Sequence, residues 1–286
     1  MTGDPGAGPA AGPAGPALEL AGVSAAYGPY RALFDVTMTV GDGAVVALIG
    51  ANGSGKSTVA RVATGLVVPT AGTVTVAGHP VTGLAPWRIA RLGVAHVPEG
   101  RGVFAELTGE ENLRLAFRAR GPRSQVDESL DRAYQAFAML GSRRGQRAGS
   151  LSGGQQRMLS LAAVLVVPPR LLVADELSLG LSPAVVDDVY EGLRRIHQGG
   201  TALLVVEQQI DRVLDLCDRA VVLDRGSVAY AGPPEGAVAA VESVLAAKGD
   251  RTVLVSTPGP VGRPADQAPV DREAGHVRSR LGRRSR

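Results

Sequence analysis

The sequence predicts an α/β fold: a core with a parallel sheet, carrying a helical subdomain. Three observations predict it. Short β-rich runs alternate with helical patterns between residues 18 and 248. Runs at 171–174 and 203–206 are apolar throughout, with no polar alternation, which suits strands buried on both faces. The stretch from about 84 to 160 reads as mostly helical and interrupts the succession of strands.

In chain order, Val45-Val46-Ala47-Leu48-Ile49 is a buried strand by composition, and a helix follows over 57–66. Residues 73–77, set between Gly72 and Gly78, form a strand, and Val94-Ala95-His96-Val97 forms another. Thr108 and Glu111 make a capping-box pair that starts a helix, since each side chain can satisfy a free backbone N–H. Residues 126–140 continue helical, as do 155–165. Two runs, 220–223 and 227–230, flank Asp224-Arg225-Gly226 and predict a late hairpin.

The chain has 286 residues, 45% hydrophobic and 20% charged, enough for a sizeable core. Aromatics supply only 3%, so Ala, Val and Leu must build that core. Residues 1–17 are almost all Gly, Ala and Pro, and residues 249–286 are rich in Pro, Gly, Arg and Ser. Both are expected to be disordered tails around one folded domain, 18–248. The C-terminal tail holds eight Arg against three Asp and one Glu, so the net charge of +3 gives no sign of a nucleic-acid face on the domain. The apolar run 161–167 stops at Pro168-Pro169, far short of the ~20 residues a membrane span needs. No secretory signal opens the chain, and its one cysteine, Cys217, fits a reducing compartment and is expected to pack in a helix. A soluble cytoplasmic chain is expected. His96 and His79 read as ordinary strand and loop residues, and no His/Cys spacing suggests zinc.

Three segments carry chemistry. Gly50-Ala51-Asn52-Gly53-Ser54-Gly55-Lys56-Ser57, followed by Thr58, matches G-x-x-x-x-G-K-[ST] between a strand and a helix. Its glycines let backbone N–H groups surround phosphate oxygens, and the helix N-terminus adds partial positive charge. Lys56 is one of only two lysines in an arginine-rich chain. A compact ammonium suits the β and γ phosphates better than a planar guanidinium. The Ser57 hydroxyl is a candidate Mg²⁺ ligand. At the end of the apolar run 171–174, Asp175 and Glu176 stand where α/β sheets bind ligands. Asp175 suits Mg²⁺, and Glu176 suits polarising a water. Taken alone, such a run also describes a strand and a solvated turn. Leu151-Ser152-Gly153-Gly154-Gln155, continued by Gln156-Arg157, opens a second helix able to meet an anion. On helix physics alone it is equally a capped turn.

Together these segments resemble the ABC ATPase family of P-loop NTPases. LSGGQQR lies 24 residues before Asp175, and the three motifs fall in the family's order over most of residues 18–236. The resemblance implies an N-terminal antiparallel β region, ATP and Mg²⁺ at the site, and a head-to-tail dimer with a second ABC ATPase subunit. In that dimer each ATP lies between the phosphate loop of one subunit and residues 151–155 of the other. It also implies that Tyr27 stacks on adenine, although Tyr30 is near enough to compete. Four positions depart from the family pattern. Glu99 stands where a Gln is usual, Gln208 where a switch His is usual, Leu177 where a Pro is usual and Ser182 where an Asp is usual. PEGR-VF, LTGEENL, SLGLSP and VVEQQ resemble one ATPase subunit of branched-chain amino acid importers, which has Glu and Gln at the first two places. That resemblance implies catalytic roles for Glu176, Gln208 and Glu99. Glu99 is expected to face the metal, a water or Arg101. The implied partners are transmembrane permease subunits and a solute-binding protein, with the chain peripheral on the inner face of the cell membrane. Import of urea or amides, lipid export, or a soluble role on ribosomes or DNA are the competing readings. The soluble class usually carries two cassettes or a coiled-coil insertion, and this chain has one cassette and no heptad run.

Overall fold

A computed structural model describes residues 15–100, 102–118 and 125–248. Two long strands open the domain, β1 (Leu18–Tyr27) and β2 (Tyr30–Val40), paired antiparallel through the tight turn at Gly28. Strands β4 (Ala71–Val76) and β5 (His79–Pro80) complete a four-stranded antiparallel sheet in the order β2-β1-β4-β5. His79, expected in a loop, lies in this short edge strand.

The second sheet is built from β3 (Val45–Ile49), β6 (Val94–Val97), β7 (Leu171–Asp175), β8 (Ala202–Glu207), β9 (Arg219–Asp224) and β10 (Ser227–Gly232). Their order is β10-β9-β3-β8-β7-β6. The pairs from β9 through β6 are parallel, and the predicted hairpin adds β10 antiparallel at one edge. Side chains alternate across the strands. Val45, Ala47, Ile49, Leu203 and Val205 pack into a core under the helices. Val46, Leu48, Leu204 and Val206 pack against the antiparallel sheet and helix α1 (Lys56–Ala63). Two cores explain the unbroken apolar runs, because neither face of these strands meets water. Full burial of each such Val or Leu is worth about 1.5–3 kcal/mol.

Helix α2 (Pro86–Arg91) precedes β6. The helical insertion expected from residue 84 therefore contains one strand of the central sheet, and its helical part follows β6. That part comprises α3 (Gly109–Arg118), α4 (Val126–Ala136), α5 (Ala138–Gly141) and α6 (Gly153–Val166). The Thr108–Glu111 box caps α3 as predicted: the Glu111 N–H donates to the Thr108 hydroxyl at 3.2 Å, and the Thr108 N–H donates to the Glu111 carboxylate at 2.7 Å. The continuous helix expected over 126–140 breaks at Phe137, whose backbone leaves the helical region at φ −129° and ψ 72°. Its ring turns into the core, where it reaches Gly192. Helices α7 (Pro183–Gln198), α8 (Asp211–Leu214) and α9 (Pro234–Lys248) complete the domain.

Two further expectations change. Cys217 is buried, but it lies between α8 and β9 rather than in a helix. Residues 15–17 belong to the fold and not to a tail. Ala17 is fully buried and its carbonyl accepts from the Ala77 N–H, while the Gly15 carbonyl accepts from Arg170. The rest of the N-terminal segment and residues 249–286 lie outside the described residues, as does Arg101. Among the described residues no helix is long and apolar enough to cross a membrane.

Candidate functional site

The candidate residues meet because β3, β8, β7 and β6 are parallel neighbours, so their C-terminal ends lie side by side. β3 delivers the phosphate loop, β7 Asp175 and Glu176, β8 Gln208, and β6 Glu99. The loop is tightly seated. Gly55 has φ +104°, and a Cβ there would stand 2.9 Å from the Ala32 carbonyl, so only glycine fits before α1. The Ser54 hydroxyl is buried inside the loop without a hydrogen-bond partner.

Lys56 is 3% exposed. Its Nζ donates to the Ala51 carbonyl at 3.2 Å and pairs with Glu176 Oε1 at 3.2 Å. The pairing offsets the desolvation of two buried charges. The Ser57 hydroxyl donates to Asp175 Oδ1 at 3.4 Å. Burial, and then the charge of Glu176, push the Asp175 carboxyl up to about 6, while the Ser57 hydroxyl works the other way. Both effects disfavour a second negative charge in a confined place, and an added cation would relieve both. Oxygen donors from Ser57 and Asp175, with Glu99 near enough to act on Asp175 electrostatically, form a donor set that suits a hard divalent cation such as Mg²⁺.

A cavity of about 650 Å³ opens over the loop. Asn52, Gly53, Gly55, Lys56, Ser57 and Thr58 form its floor, and Glu99 and Glu176 stand at its wall. Gly50 and Ala51 do not line the cavity. Tyr27 also lies outside the lining; it ends β1, and its hydroxyl accepts from Arg61 at 3.3 Å. Tyr30 is exposed at the start of β2. The aromatic ring in the lining is Phe34, with the Arg31 guanidinium 4.6 Å above it. Gln208 is half-buried just beyond β8.

The segment 151–155 is not part of this cavity. Leu151 is buried in the helical core, whereas Ser152 and Gly153 are exposed. Ser152 and Gln155 form a reciprocal capping box: the Gln155 N–H donates to the Ser152 hydroxyl at 3.3 Å, and the Ser152 N–H donates to the Gln155 amide oxygen at 3.0 Å. Gly154 is a close-approach glycine, since a Cβ there would stand 2.3 Å from Val185 of α7.

Sequence reasoning missed several residues. Arg31, Phe34, Leu179 and Arg225 line the cavity, and no spacing marks them. Arg157 and Glu207 are buried charged residues behind Glu176. A single charge closing an otherwise apolar strand, as Glu207 does, is the signal that was available.

Comparison with known proteins places this geometry in context. The sequence profile of the ABC transporter family matches residues 33–178. The high-affinity branched-chain amino acid transport ATP-binding protein BraG of Pseudomonas aeruginosa is 40% identical, over 72% of this chain and 88% of its own length. The probable branched-chain amino acid transport ATP-binding protein LivF of Archaeoglobus fulgidus is 34% identical, over 75% of this chain and 91% of its own. The Nod factor export ATP-binding protein I of Mesorhizobium japonicum is 35% identical, over 76% of this chain and 64% of its own. Among solved structures, an ATP binding subunit of an ABC transporter superposes with a TM-score of 0.69 at 29% identity, covering 82% of this chain and 94% of that one.

Proposed function

The chain belongs to the ABC transporter family and is an ATP-binding ATPase subunit of it, and from that premise we propose that it drives import of branched-chain amino acids. The observation that carries the site assignment is the pairing, at the phosphate loop, of Lys56 with Glu176 and of Ser57 with Asp175.

ATP is the substrate. Loop N–H groups and the Lys56 ammonium hold its β and γ phosphates, and Ser57 and Asp175 are the residues that would hold Mg²⁺, with Glu99 beside them. The metal, when bound, neutralises charge on the phosphates. Lys56 is now shared between the Ala51 carbonyl and Glu176. An arriving γ-phosphate competes for that ammonium and frees the Glu176 carboxylate. Glu176 then accepts a proton from the water that attacks the γ-phosphorus, and the bond to the ADP oxygen breaks. Gln208 orients the γ-phosphate through its amide. A neutral amide holds no proton to shuttle, so turnover carries no imidazole titration from this position.

Segment 151–155 stands apart from the phosphate-loop cavity of its own chain, which supports completion of each site by a second ATPase subunit. Transmembrane permease subunits are the coupled partners, and a solute-binding protein delivers the amino acid. The chain is peripheral on the inner face of the cell membrane. Similarity to the Nod factor export ATP-binding protein I favours export as the second reading.

The test has two parts. Glu176→Gln should bind ATP with near-parental affinity and lose nearly all turnover, by about 10²-fold or more; normal turnover would remove Glu176 as the base. The full complex, purified with its permeases and placed in vesicles, should accumulate labelled leucine when ATP is supplied on the side of this subunit. Efflux of a lipid without leucine uptake would replace import by export.

A further inference from the structure

Glu176 has an unusual backbone. It is a non-glycine residue at φ +48°, in the left-handed region that a side chain disfavours. Such a conformation persists only where its surroundings fix it, and three contacts do so. The Glu176 N–H donates to the Val206 carbonyl of β8 at 2.9 Å. The Glu176 carbonyl accepts from Arg157 Nη2 of α6 at 3.4 Å, and Arg157 Nη1 donates to the Pro98 carbonyl, next to Glu99, at 2.9 Å. Two residues onward, Ser178 is held by Glu207: its N–H donates to Oε1 at 3.1 Å and its hydroxyl to Oε2 at 2.7 Å.

Arg157 is 6% exposed and Glu207 2%. Burying an arginine and a carboxylate is costly, and neither lines the nucleotide cavity. Arg157 donates to the Pro98 and Glu176 carbonyls, and Glu207 accepts from the main chain and the hydroxyl of Ser178. Charge-assisted bonds of this kind hold geometry well, because losing one leaves a buried charge underpaired.

We infer that Arg157 and Glu207 are positioning residues that clamp the backbone on either side of Glu176, tying the placement of the base to helix α6 and to the strand end that bears Gln208. The clamp rests on the reading of Glu176 as the base. A shift of helix α6 or of the β8 end is thereby transmitted to the carboxylate through fixed hydrogen bonds. Binding of nucleotide to the phosphate loop does not pass through these two residues, so the clamp acts on the chemical step.

The experiment measures kcat and, separately, the Kd of a fluorescent ATP analogue for the full chain carrying Ser178→Ala, Glu207→Ala, Arg157→Met or Glu207→Gln, with Glu176→Gln beside them. Misplacing a reacting group by about 1 Å costs about 10²-fold. Ser178→Ala, Glu207→Ala and Arg157→Met are therefore expected to lower kcat about tenfold or more, with Kd changed less than about twofold. The double variant Ser178→Ala/Glu207→Ala should fall no further than Glu207→Ala alone, because both remove one interaction. Glu207→Gln keeps an acceptor for the Ser178 N–H and offers a donor to its hydroxyl oxygen, so most of kcat should return. Parental kcat in Ser178→Ala and Glu207→Ala overturns the clamp, and so does a parallel loss of kcat and affinity. Should Glu207→Ala fail to fold, Ser178→Ala decides, since it removes one hydroxyl and adds no bulk. Turnover retained by Glu176→Gln would instead strike at the assignment of the base.

Discussion

At Asp175 and Glu207, burial raises the carboxyl to about 6 and about 7, yet hydrogen bonds from Ser57 and Ser178 oppose that rise. His96 is the opposite case. Burial first, and then the charge of Arg61, lower its imidazole to about 4, and its Nε2 is buried without a partner. Its folded value lies below that of an unfolded chain, about 6.5. The unfolded chain therefore takes the extra proton between those values, and the stability contribution present above about 6.5 is lost as pH falls toward 4. Thermal unfolding of the parent, compared with His96→Gln at each pH, should show the parent losing ground steadily across that window. A constant difference from pH 7 to pH 4 would mean that His96 does not titrate in this way. At the phosphate loop, Lys56→Ala removes the only side-chain ammonium in the cavity lining, and MgATP affinity should fall by at least about tenfold, the worth of one charge-assisted contact. Unchanged binding in calorimetry would contradict the loop's role.

Elements are held by close approach as much as by pattern. Helices α6 and α7 meet where Gly154 faces Val185. Gly154→Ala should cost about 1–3 kcal/mol through overpacking. Val185→Ala in the same chain should recover most of the loss, because it vacates the volume the new methyl needs. A Gly154→Ala protein as stable as its parent in denaturant titration would show that the helices separate freely. Strand and helix types were legible from pattern: the three apolar runs at 45–49, 171–174 and 203–206 became β3, β7 and β8, and the Thr108–Glu111 pair caps α3. The break at Phe137 was not legible, because an apolar residue between Ala136 and Ala138 fits a helix equally well. Only the space beside Gly192 draws the ring inward.

Over the whole molecule, residues 151–155 do not line the phosphate-loop cavity of their own chain. Site completion by a partner predicts a mixing result. A Lys56→Ala chain and a Ser152→Arg chain, each inactive alone, should regain part of their ATPase activity when combined, since one of the two shared sites can be intact; no recovery across a range of ratios would argue against shared sites. The sequence by itself determined the fold class and the family, and it marked residues 50–58 and Asp175–Glu176 as the candidate site, because these reside in contiguous residues whose spacing carries the chemistry. Only the tertiary structure decided that Glu176 adopts a left-handed backbone, that Lys56 pairs with it, and that Arg157 and Glu207 surround it. Those contacts join residues beyond a local pattern's reach, 59 positions apart for Pro98 with Arg157 and 29 for Ser178 with Glu207. They arise from the adjacency of parallel strand ends, which no local periodicity encodes.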